Sequence, residues 1–584
     1  MIPVHSLRAA TAALLLLAFA VPAPADGPAR SRAMSAYDRI QGLRDEAWKL
    51  VDGQEAPSRE AIEAGIAKLE EALAHGHRPE IRELATGNAY LYARDYDVLR
   101  DLAAFRLKLG QKEEALTLLE RMNQEAWLAK VAPWLAKKKD FESLRDEPRF
   151  KAVLATMEMS GRLWSTPAIA VPYAERLPLE TRIAGLSVFW AEARQGFVHF
   201  DKVPGLAWDK AYLEVLPAVM AADTTQDYYR ALQQFAARLG DSHTSVIPPK
   251  ELHGRMFSRP PIVTARVEGR VIVTEVRSAS LAERVKVGDE IVAIDGLPVA
   301  RYAEERVAPA VSASTPQDRE LRLYTYELLL GDGERPVELS LKRHGEVERV
   351  EKVARQGYSD LKGREHRGFR MLAGDVAYLE IDHFESNESV KRFEQALPEI
   401  LKAKALVIDI RRNGGGSSDY GIDILSYLTD QPIRTAKSRV RGETSHSRTR
   451  FGPEGIVEWK PVAGDDERPE TRARDRRFPG PVALLIGSAT FSAAEDFALY
   501  FDVAKRGILV GSPTGGSTGQ PILFPLPGGG RGRICVKRDT YPDGREFVGK
   551  GILPDIAAST TVEAVRAGRD PVLDAAVAAL LTRR

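Results

Sequence analysis

The spacing of apolar residues predicts helices in the first part of the chain and strands later. From about residue 34 to residue 159 the pattern is helical, and within 115–122 apolar residues recur at i, i+3, i+4 and i+7. Gly110 separates this helix from the one before it. A second helical region, rich in aromatic residues, runs from about residue 178 to residue 239 and ends at Gly240.

The helical hairpin around Gly110 resembles one unit of a tetratricopeptide array. Such hairpins stack and bind peptides or partner proteins, so this region is a candidate site for an adaptor. Because one repeat alone is clear, a plain helical spacer is an equally good interpretation.

Between about residues 261 and 353 the pattern changes to that of strands. Runs such as Arg270–Val276 and Glu290–Ile294 alternate or are apolar, and Asp295 with Gly296 supplies a turn. The stretch LAERVKVGDEIVAIDGLPV resembles a PDZ domain, which binds an extended peptide at a sheet edge. Its typical carboxylate-binding loop is not recognisable, so capture of a free C-terminus is a weaker inference than the fold.

From about residue 368 to residue 556 the pattern predicts an α/β domain. Four apolar runs separated by helical stretches are candidates for buried strands, and they are 376–381, 405–410, 481–486 and 507–511. The second run leads into the glycines at 414–416, whose backbone N–H groups could approach a ligand closely. Neither GxxxxGK[ST] nor GxGxxG is present, so these glycines are more suited to binding an acyl oxyanion than a phosphate. A simple loop without a binding role is the alternative.

Ser492 lies where the third of these runs gives way to a helix. A serine at such a junction sits at the positive end of a helix dipole, beside unpaired backbone N–H groups that can receive an oxyanion. This placement suits a nucleophile. The alternative is a helix cap, since serine is a favoured N-cap and Glu495, three residues on, would complete a capping box.

Length and charge restrict the class of protein. A chain of 584 residues is expected to contain three or four domains. With 83 basic and 82 acidic residues it has no global field that favours nucleic acid. Arg8, the apolar stretch 9–20 and the Ala23-Pro24-Ala25 site predict a signal peptide, and hence export to a bacterial periplasm or secretion, with no membrane span in the mature chain.

Cysteine and histidine usage predicts neither a disulfide nor a metal. Cys535 is the only cysteine, so an intramolecular disulfide is excluded, and we interpret it as a small buried apolar residue. No pair among the ten histidines has a metal-ligand spacing such as HExxH. We therefore expect no metal and no cofactor.

Taken together, four separated motifs resemble the S41 peptidase family, which contains the C-terminal-processing (tail-specific) proteases and their tricorn-like relatives. In chain order they are LGDSHT, DIRRNGGGS, SATFSAAE and GKGILPDI, with the PDZ-like stretch between the first and second. The resemblance covers roughly residues 165–570. It implies an α/β core related to the ClpP/crotonase type, a helical subdomain before it, and serine-dependent hydrolysis of protein or peptide substrates.

The same resemblance assigns roles to particular residues. Ser492 matches the family nucleophile, and the N–H groups of Ala493 and Gly415 match the oxyanion hole, with Gly414 and Gly416 as alternatives to Gly415. Ser517 appears where the Ser-Lys branch of the family has its lysine, so a Ser-Lys dyad is not expected. The tricorn-like branch uses a histidine, which matches His243, a side chain with an ordinary pKa near about 6.5.

In the tricorn-like branch a serine and a glutamate support the histidine. They map onto Ser242 and Glu546, with Asp543 as the fallback acid, and an ordinary exposed carboxylate is the alternative for Glu546. The expected reaction is acyl transfer through an acyl-enzyme. Two other functions are considered, namely a catalytically inactive peptide-binding scaffold of the same fold and a crotonase-like enzyme acting on acyl-CoA.

The sequence thus predicts five segments. They are a signal peptide (1–25), a tetratricopeptide-like helical region (26–160), a helical subdomain carrying the histidine motif (161–256), a PDZ-like β-rich domain (257–355) and an α/β peptidase core (356–584).

Overall fold

A computed structural model describes residues 32–582, apart from residues 55, 86–88, 358–367, 443–445, 453 and 463–473. The predicted signal peptide, residues 1–25, lies outside the described residues. The described chain is a mixed α/β protein with several sheets and an N-terminal helical region, which confirms the predicted fold class. Among the described helices, none combines the length and apolar character needed to cross a bilayer.

Eight α-helices and a short 3-10 helix (Lys139–Leu144) make up the described part of the N-terminal region. The predicted hairpin is present, and Gly110 adopts a φ of 75° between its two helices, a conformation that glycine reaches without strain. Pro148 begins the seventh helix, as expected for a first-turn proline. The tetratricopeptide assignment stays a prediction. The helices are α1 (Arg32–Lys49), α2 (Arg59–Gly76), α3 (Pro79–Ala85), α4 (Ala89–Lys108), α5 (Lys112–Glu125), α6 (Ala132–Lys137), α7 (Pro148–Met157) and α8 (Met159–Ser165).

The second helical region leads into the histidine motif. It contains α9 (Leu179–Gly196), α10 (Trp208–Ala221), α11 (Thr225–Ala237), β1 (Ser245–Ile247) and α12 (His253–Met256). Thr224 caps α11 by accepting a hydrogen bond from the amide of Asp227. The buried face of α11 packs on α10, where Phe235 stacks on Trp208 with ring centroids 4.2 Å apart. This packing fixes the end of α11, from which the chain runs through His243 into β1.

Residues 257–355 form a β-rich unit with its own apolar core. Its sheet has the order β2-β3-β4-β6-β7, every pair is antiparallel, and β5 pairs with β4. Asp295 and Gly296 have φ of 46° and 77°, the positive pair that a tight hairpin turn needs. The PDZ assignment stays a prediction. The elements are β2 (Ile262–Val267), β3 (Arg270–Val276), β4 (Glu290–Ile294), β5 (Leu297–Pro298), α13 (Val299–Tyr302), α14 (Pro316–Leu321), β6 (Val337–Lys342) and β7 (Arg349–Val353).

The described residues from 369 onward form the α/β core. Its elements are β8 (Phe369–Leu372), β9 (Val376–Glu380), α15 (Glu388–Ile400), β10 (Ala405–Asp409), α16 (Ser418–Leu425), β11 (Lys437–Gly442), α17 (Ser447–Phe451), β12 (Glu458–Pro461), β13 (Val482–Ile486), α18 (Ala493–Val503), β14 (Ile508–Gly511), β15 (Pro521–Pro525), β16 (Arg531–Cys535), β17 (Arg538–Thr540), β18 (Ile556–Ala557), α19 (Val562–Ala567) and α20 (Pro571–Thr582).

The main sheet has the order β18-β14-β13-β10-β9-β8, and only the edge strand β8 runs antiparallel to its neighbour. Every residue of β9, β10 and β13 is buried, because helices cover both faces of the sheet. Apolar residues of α15, α16 and α18 pack on one face and those of α20 on the other.

The topology brings three loops to one edge of this sheet. The strands β10, β13 and β14 are adjacent and parallel, so their carboxyl ends lie side by side. The loops after them carry Gly415, Ser492 and Ser517 respectively. A small antiparallel sheet, β1-β16-β15, connects the strand after His243 to the same domain.

Candidate active site

Ser492 occupies a strained turn between β13 and α18. Its φ of 56° and ψ of −128° are unusual for a residue with a side chain. Although Ser492 stands at the N-cap position, its side chain makes no capping hydrogen bond. The half-buried hydroxyl is therefore not used to cap the helix, and it faces an imidazole instead.

His243 reaches Ser492 from the helical subdomain. Its Nε2 atom lies 3.1 Å from the Ser492 Oγ atom, although the two residues are 249 positions apart. The ring is 1% exposed and stacks on Phe491, with centroids 4.6 Å apart. Burial lowers the pKa of His243 to about 3, while the negative charge of Asp241 acts in the opposite direction. The imidazole is therefore neutral at neutral pH, the form in which Nε2 can accept a proton.

Ser517 holds the other side of the same ring. Its Oγ atom lies 2.8 Å from Nδ1 of His243, and its carbonyl oxygen accepts a hydrogen bond of 3.1 Å from the Ser492 amide. For Nε2 to accept the Ser492 proton, Nδ1 must carry the hydrogen and donate it to Ser517 Oγ. Ser517 thus fits a role as the residue that orients the ring, a role that sequence analysis did not give to it.

Glu495 fixes the turn that carries Ser517. Its carboxyl group accepts hydrogen bonds from the Thr514 hydroxyl at 2.5 Å and from the amides of Gly516 and Ser517, both at 2.8 Å. Burial raises the pKa of Glu495 to about 8, although these three hydrogen bonds act in the opposite direction. The alternative interpretation of a capping box does not hold, because the Glu495 side chain binds the turn after β14 rather than the start of its own helix.

Ser242 points away from the His243 ring. Its hydroxyl donates to the buried carboxylate of Asp318 in the β-rich unit, and Asp318 also pairs with Arg322 at 2.9 Å. The Arg322 guanidinium lies over the Phe491 ring, 5.6 Å from its centroid. Ser242 therefore joins the histidine segment to the β-rich unit, and the ring itself is held by Ser517.

The two predicted acids lie elsewhere. Glu546 is paired with Lys202, at 2.5 Å, and with Arg538. The hydrogen bond from Lys202 is the main reason that the pKa of Glu546 falls to about 2. Asp543 is exposed and pairs with Arg545 at 2.7 Å. Neither carboxylate is hydrogen-bonded to His243, whose ring nitrogens contact Ser492 and Ser517.

The predicted oxyanion donors flank Ser492. Ala493 is the first residue of α18, so its amide has no partner within the helix. Gly415 lies so close that a Cβ added to it would be 2.7 Å from the Ser492 Cβ atom. The Gly415 amide donates to the side-chain oxygen of Asn413 at 2.9 Å. The loop after β10 thus brings a glycine backbone against the nucleophile candidate.

Comparisons with known proteins identify the family of the domain that carries Ser492. The model of Peptidase family S41 matches residues 375–558, which include Gly415, Ser492 and Ser517. These residues form an S41-type peptidase domain, and the chain is a serine-type peptidase. The "Carboxyl-terminal-processing protease" of Picosynechococcus sp. is 25% identical to this chain over 344 residues, which are 57% of this chain and 73% of the relative.

Two further proteins resemble parts of this chain. The "C-terminal processing peptidase, chloroplastic" of Tetradesmus obliquus is 26% identical over 185 residues, which are 31% of this chain and 34% of that relative. The solved structure of mature CPAF complexed with lactacystin is similar to this chain with a TM-score of 0.55 and 16% sequence identity. The similar part covers 67% of this chain and 95% of the CPAF chain. At that identity the likeness shows a shared fold.

The residues that sequence analysis missed in the S41 peptidase are Ser517, Glu495 and Asp318. Ser517 stands where the Ser-Lys branch of the family has its lysine, and a hydroxyl cannot act as that base. A histidine base needs a partner for its second nitrogen. The Ser517 hydroxyl, in the loop after β14, is therefore the feature of the sequence that indicates this partner.

Proposed function

We propose that this S41 peptidase is an exported serine endopeptidase that hydrolyses peptide bonds through an acyl-enzyme, with Ser492 as nucleophile and His243 as general base. The observation that carries the proposal is the 3.1 Å separation of Ser492 Oγ from His243 Nε2, with Nδ1 engaged by Ser517. A nucleophile, a base and a group that orients the base are the parts that acyl transfer requires.

Labelling of the purified chain with a fluorophosphonate tests the proposed nucleophile. The expected result is one covalent adduct, located on Ser492 by peptide mass spectrometry, since a hydroxyl activated by an imidazole reacts far faster than an ordinary serine. Heat-denatured protein is the control. An adduct on another serine, or the same labelling before and after denaturation, would contradict the assignment.

In the proposed mechanism, Ser492 attacks the scissile carbonyl carbon and its proton passes to Nε2 of His243. The imidazolium keeps its Nδ1–H on Ser517, and then protonates the leaving amine. Water attacks the acyl-enzyme with His243 again as base, and the acid product leaves Ser492 free. No group outside this chain and water is needed for the proton balance.

Backbone amides are proposed to stabilise the tetrahedral oxyanion. Ala493 offers the unpaired amide of a helix start, and Gly415 is proposed as the second donor. The close approach of Gly415 to Ser492 supports this role. Its amide would exchange the Asn413 side-chain oxygen for the oxyanion when substrate binds.

We propose that Ser517, supported by Glu495, orients His243, and that Ser242 and Glu546 act less directly. Ser242 would hold the histidine segment through Asp318. Glu546, with its cationic partners, would shape the charge near the site. This assignment follows the hydrogen bonds of the ring rather than the family correspondence.

The Ser517→Ala variant tests this division of roles. Loss of a hydrogen bond to a cationic imidazolium is expected to lower kcat by about 10–100-fold, with KM nearly unchanged. Ser242→Ala and Glu546→Gln are the matched controls, for which we expect kcat within about threefold of wild type, because neither side chain bonds to the ring. Melting temperatures are measured for all three variants.

A purely structural role for Ser517 would lower the melting temperature and leave kcat per folded molecule intact. A larger loss of kcat in Glu546→Gln than in Ser517→Ala would return the supporting role to Glu546.

Peptide recognition by the β-rich unit is also part of the proposal. The six-stranded antiparallel sheet of residues 257–355 has edge strands, and an extended peptide can pair with such an edge. Export rests on the signal-peptide pattern of residues 1–25. Titration of extended peptides into the Ser492→Ala chain measures binding without cleavage, and fractionation of cells producing the full chain locates the mature protein.

A further inference from the structure

Three buried side chains that can bind metals lie together near His243. His199 follows α9, Asp241 belongs to the LGDSHT motif that contains His243, and Cys535 is the last residue of β16. Their exposed fractions are 2%, 2% and 0%, respectively. One potential ligand atom from each lies within 4.8 Å of the other two. The peptidase mechanism uses none of the three.

His199 is the observation that points to a ligand. Neither of its ring nitrogens has a hydrogen-bond partner among the residues that the structure describes. A buried imidazole without partners is costly, because its nitrogens have lost water and gained nothing in exchange. Burial lowers the pKa of His199, although Asp241 acts in the opposite direction. The ring is thus in the neutral form that binds metals.

Asp241 and Cys535 supply the other two donor atoms. One oxygen of Asp241 accepts a hydrogen bond of 2.6 Å from Thr244, while the other has a weak contact of 3.3 Å with Ser314. The Cys535 sulfur contacts backbone carbonyl oxygens, the nearer of them that of Lys537 at 3.5 Å. Both residues therefore retain capacity for a stronger ligand.

We propose that His199, Asp241 and Cys535 form a binding site for a divalent transition-metal ion, with Zn²⁺ as the best match. Imidazole nitrogen, carboxylate oxygen and thiolate sulfur form a mixed donor set that suits a tetrahedral Zn²⁺ ion. Tetrahedral bonds of the usual lengths place donor atoms about 3.3–3.8 Å apart, so the present cluster needs to contract by about 1 Å.

Binding would release one proton. Burial raises the pKa of the Cys535 thiol well above its ordinary value, so the free residue is a thiol. A coordinating thiol is deprotonated by the ion, and its proton passes to solvent. His199 binds as the neutral ring and Asp241 as the carboxylate, and the fourth position is left for water.

The site would brace the segment that carries the general base. Asp241 lies two residues before His243. Cys535 is the last residue of β16, and β16 pairs with β1, the strand that follows His243 in the chain. The Cys535 amide also donates to the Thr244 hydroxyl at 3.2 Å. An ion held by these residues would connect the loop of His199 to both flanks of His243. The spacing of histidines along the sequence predicted no metal, because these three ligands come from separate segments.

Cobalt binding to the wild-type full chain tests the site directly. The chain is freed of metal with a chelator, dialysed and titrated with Co²⁺. Because Cys535 is the only cysteine, any thiolate-to-cobalt charge-transfer band in the near ultraviolet reports on this residue alone. We expect the band to saturate at about one ion per chain and to disappear when Zn²⁺ is added. Absence of the band at saturating Co²⁺ overturns the proposal.

Variants separate this site from adventitious surface binding. Cys535→Ala should abolish the band, and His199→Gln should raise the Kd for Co²⁺ by at least about 10²-fold. His344→Gln, which removes an exposed histidine, is the matched control and should bind as wild type does. Zn²⁺ should raise the melting temperature of wild type and of this control but not of Cys535→Ala. An unchanged band in His199→Gln would overturn the assignment, and the wild-type titration remains decisive if a variant fails to fold.

Discussion

Replacing Ser492 by alanine is expected to lower kcat/KM for a peptide substrate by about 10⁴-fold or more. The physical reason is that no other hydroxyl lies at 3.1 Å from Nε2 of His243 within the described site, so no acyl-enzyme can form. The melting temperature should change little. The Ser492 hydroxyl caps no helix, and alanine keeps the Cβ atom that serine already places in this strained turn.

His243→Gln should reduce activity to a similar extent, since a glutamine of comparable size cannot accept the Ser492 proton. The double variant is expected to be no worse than either single variant, because the two side chains act as one unit. His253→Gln is the matched control, as His253 is an exposed histidine of the helical subdomain. Initial rates are measured on purified proteins of confirmed melting temperature.

Two outcomes would contradict this result. Substantial activity in His243→Gln would indicate another base, and a lysine would be the first to examine. Absence of activity in the wild type as well, with no fluorophosphonate adduct, would favour a peptide-binding protein that retains the fold without the chemistry.

Gly415→Ala is expected to lower kcat by about 10²–10³-fold. The added Cβ would be 2.7 Å from the Ser492 Cβ atom and 3.0 Å from the Ala493 amide nitrogen, which displaces the nucleophile or an oxyanion donor. The φ of 98° at Gly415 adds backbone strain, so the free energy of unfolding should fall by about 1–3 kcal/mol.

Gly414→Ala is the control for Gly415→Ala within the same loop. A Cβ at Gly414 meets no atom within 4 Å, and its φ does not lie in the left-handed range. We expect activity and melting temperature close to those of wild type. Kinetics and thermal melts of the two variants are compared side by side. Equal activities would remove Gly415 from the oxyanion site and leave Gly414 or Gly416 as the candidate.

The sequence was sufficient for the elements and for the outline of the catalytic pair. Buried strands and the helix after Ser492 follow from apolar periodicity, which is a local property, and their observed bounds differ from the predicted ones by a residue or two. The pairing of Ser492 with His243 was inferred from the resemblance, and the structure brings the two side chains together.

The side chains that hold the His243 ring cannot be predicted from local sequence patterns. Ser517 contacts His243 across 274 positions, and Glu495 supports Ser517 through backbone amides. The family resemblance instead points to Glu546, which in the structure forms ion pairs with Lys202 and Arg538. The same limit applies to His199, Asp241 and Cys535, which meet through packing of separate segments.

Apolar spacing along the chain is enough to predict which segments become strands and helices, and the motifs supply residues able to act as nucleophile and base. The side chains that hold the imidazole, and the meeting of His199, Asp241 and Cys535, emerge only when the chain folds. Secondary structure is encoded in the spacing of neighbouring residues. A hydrogen bond between distant residues depends on how the strand ends and helices pack, and it leaves no periodic signal in the chain.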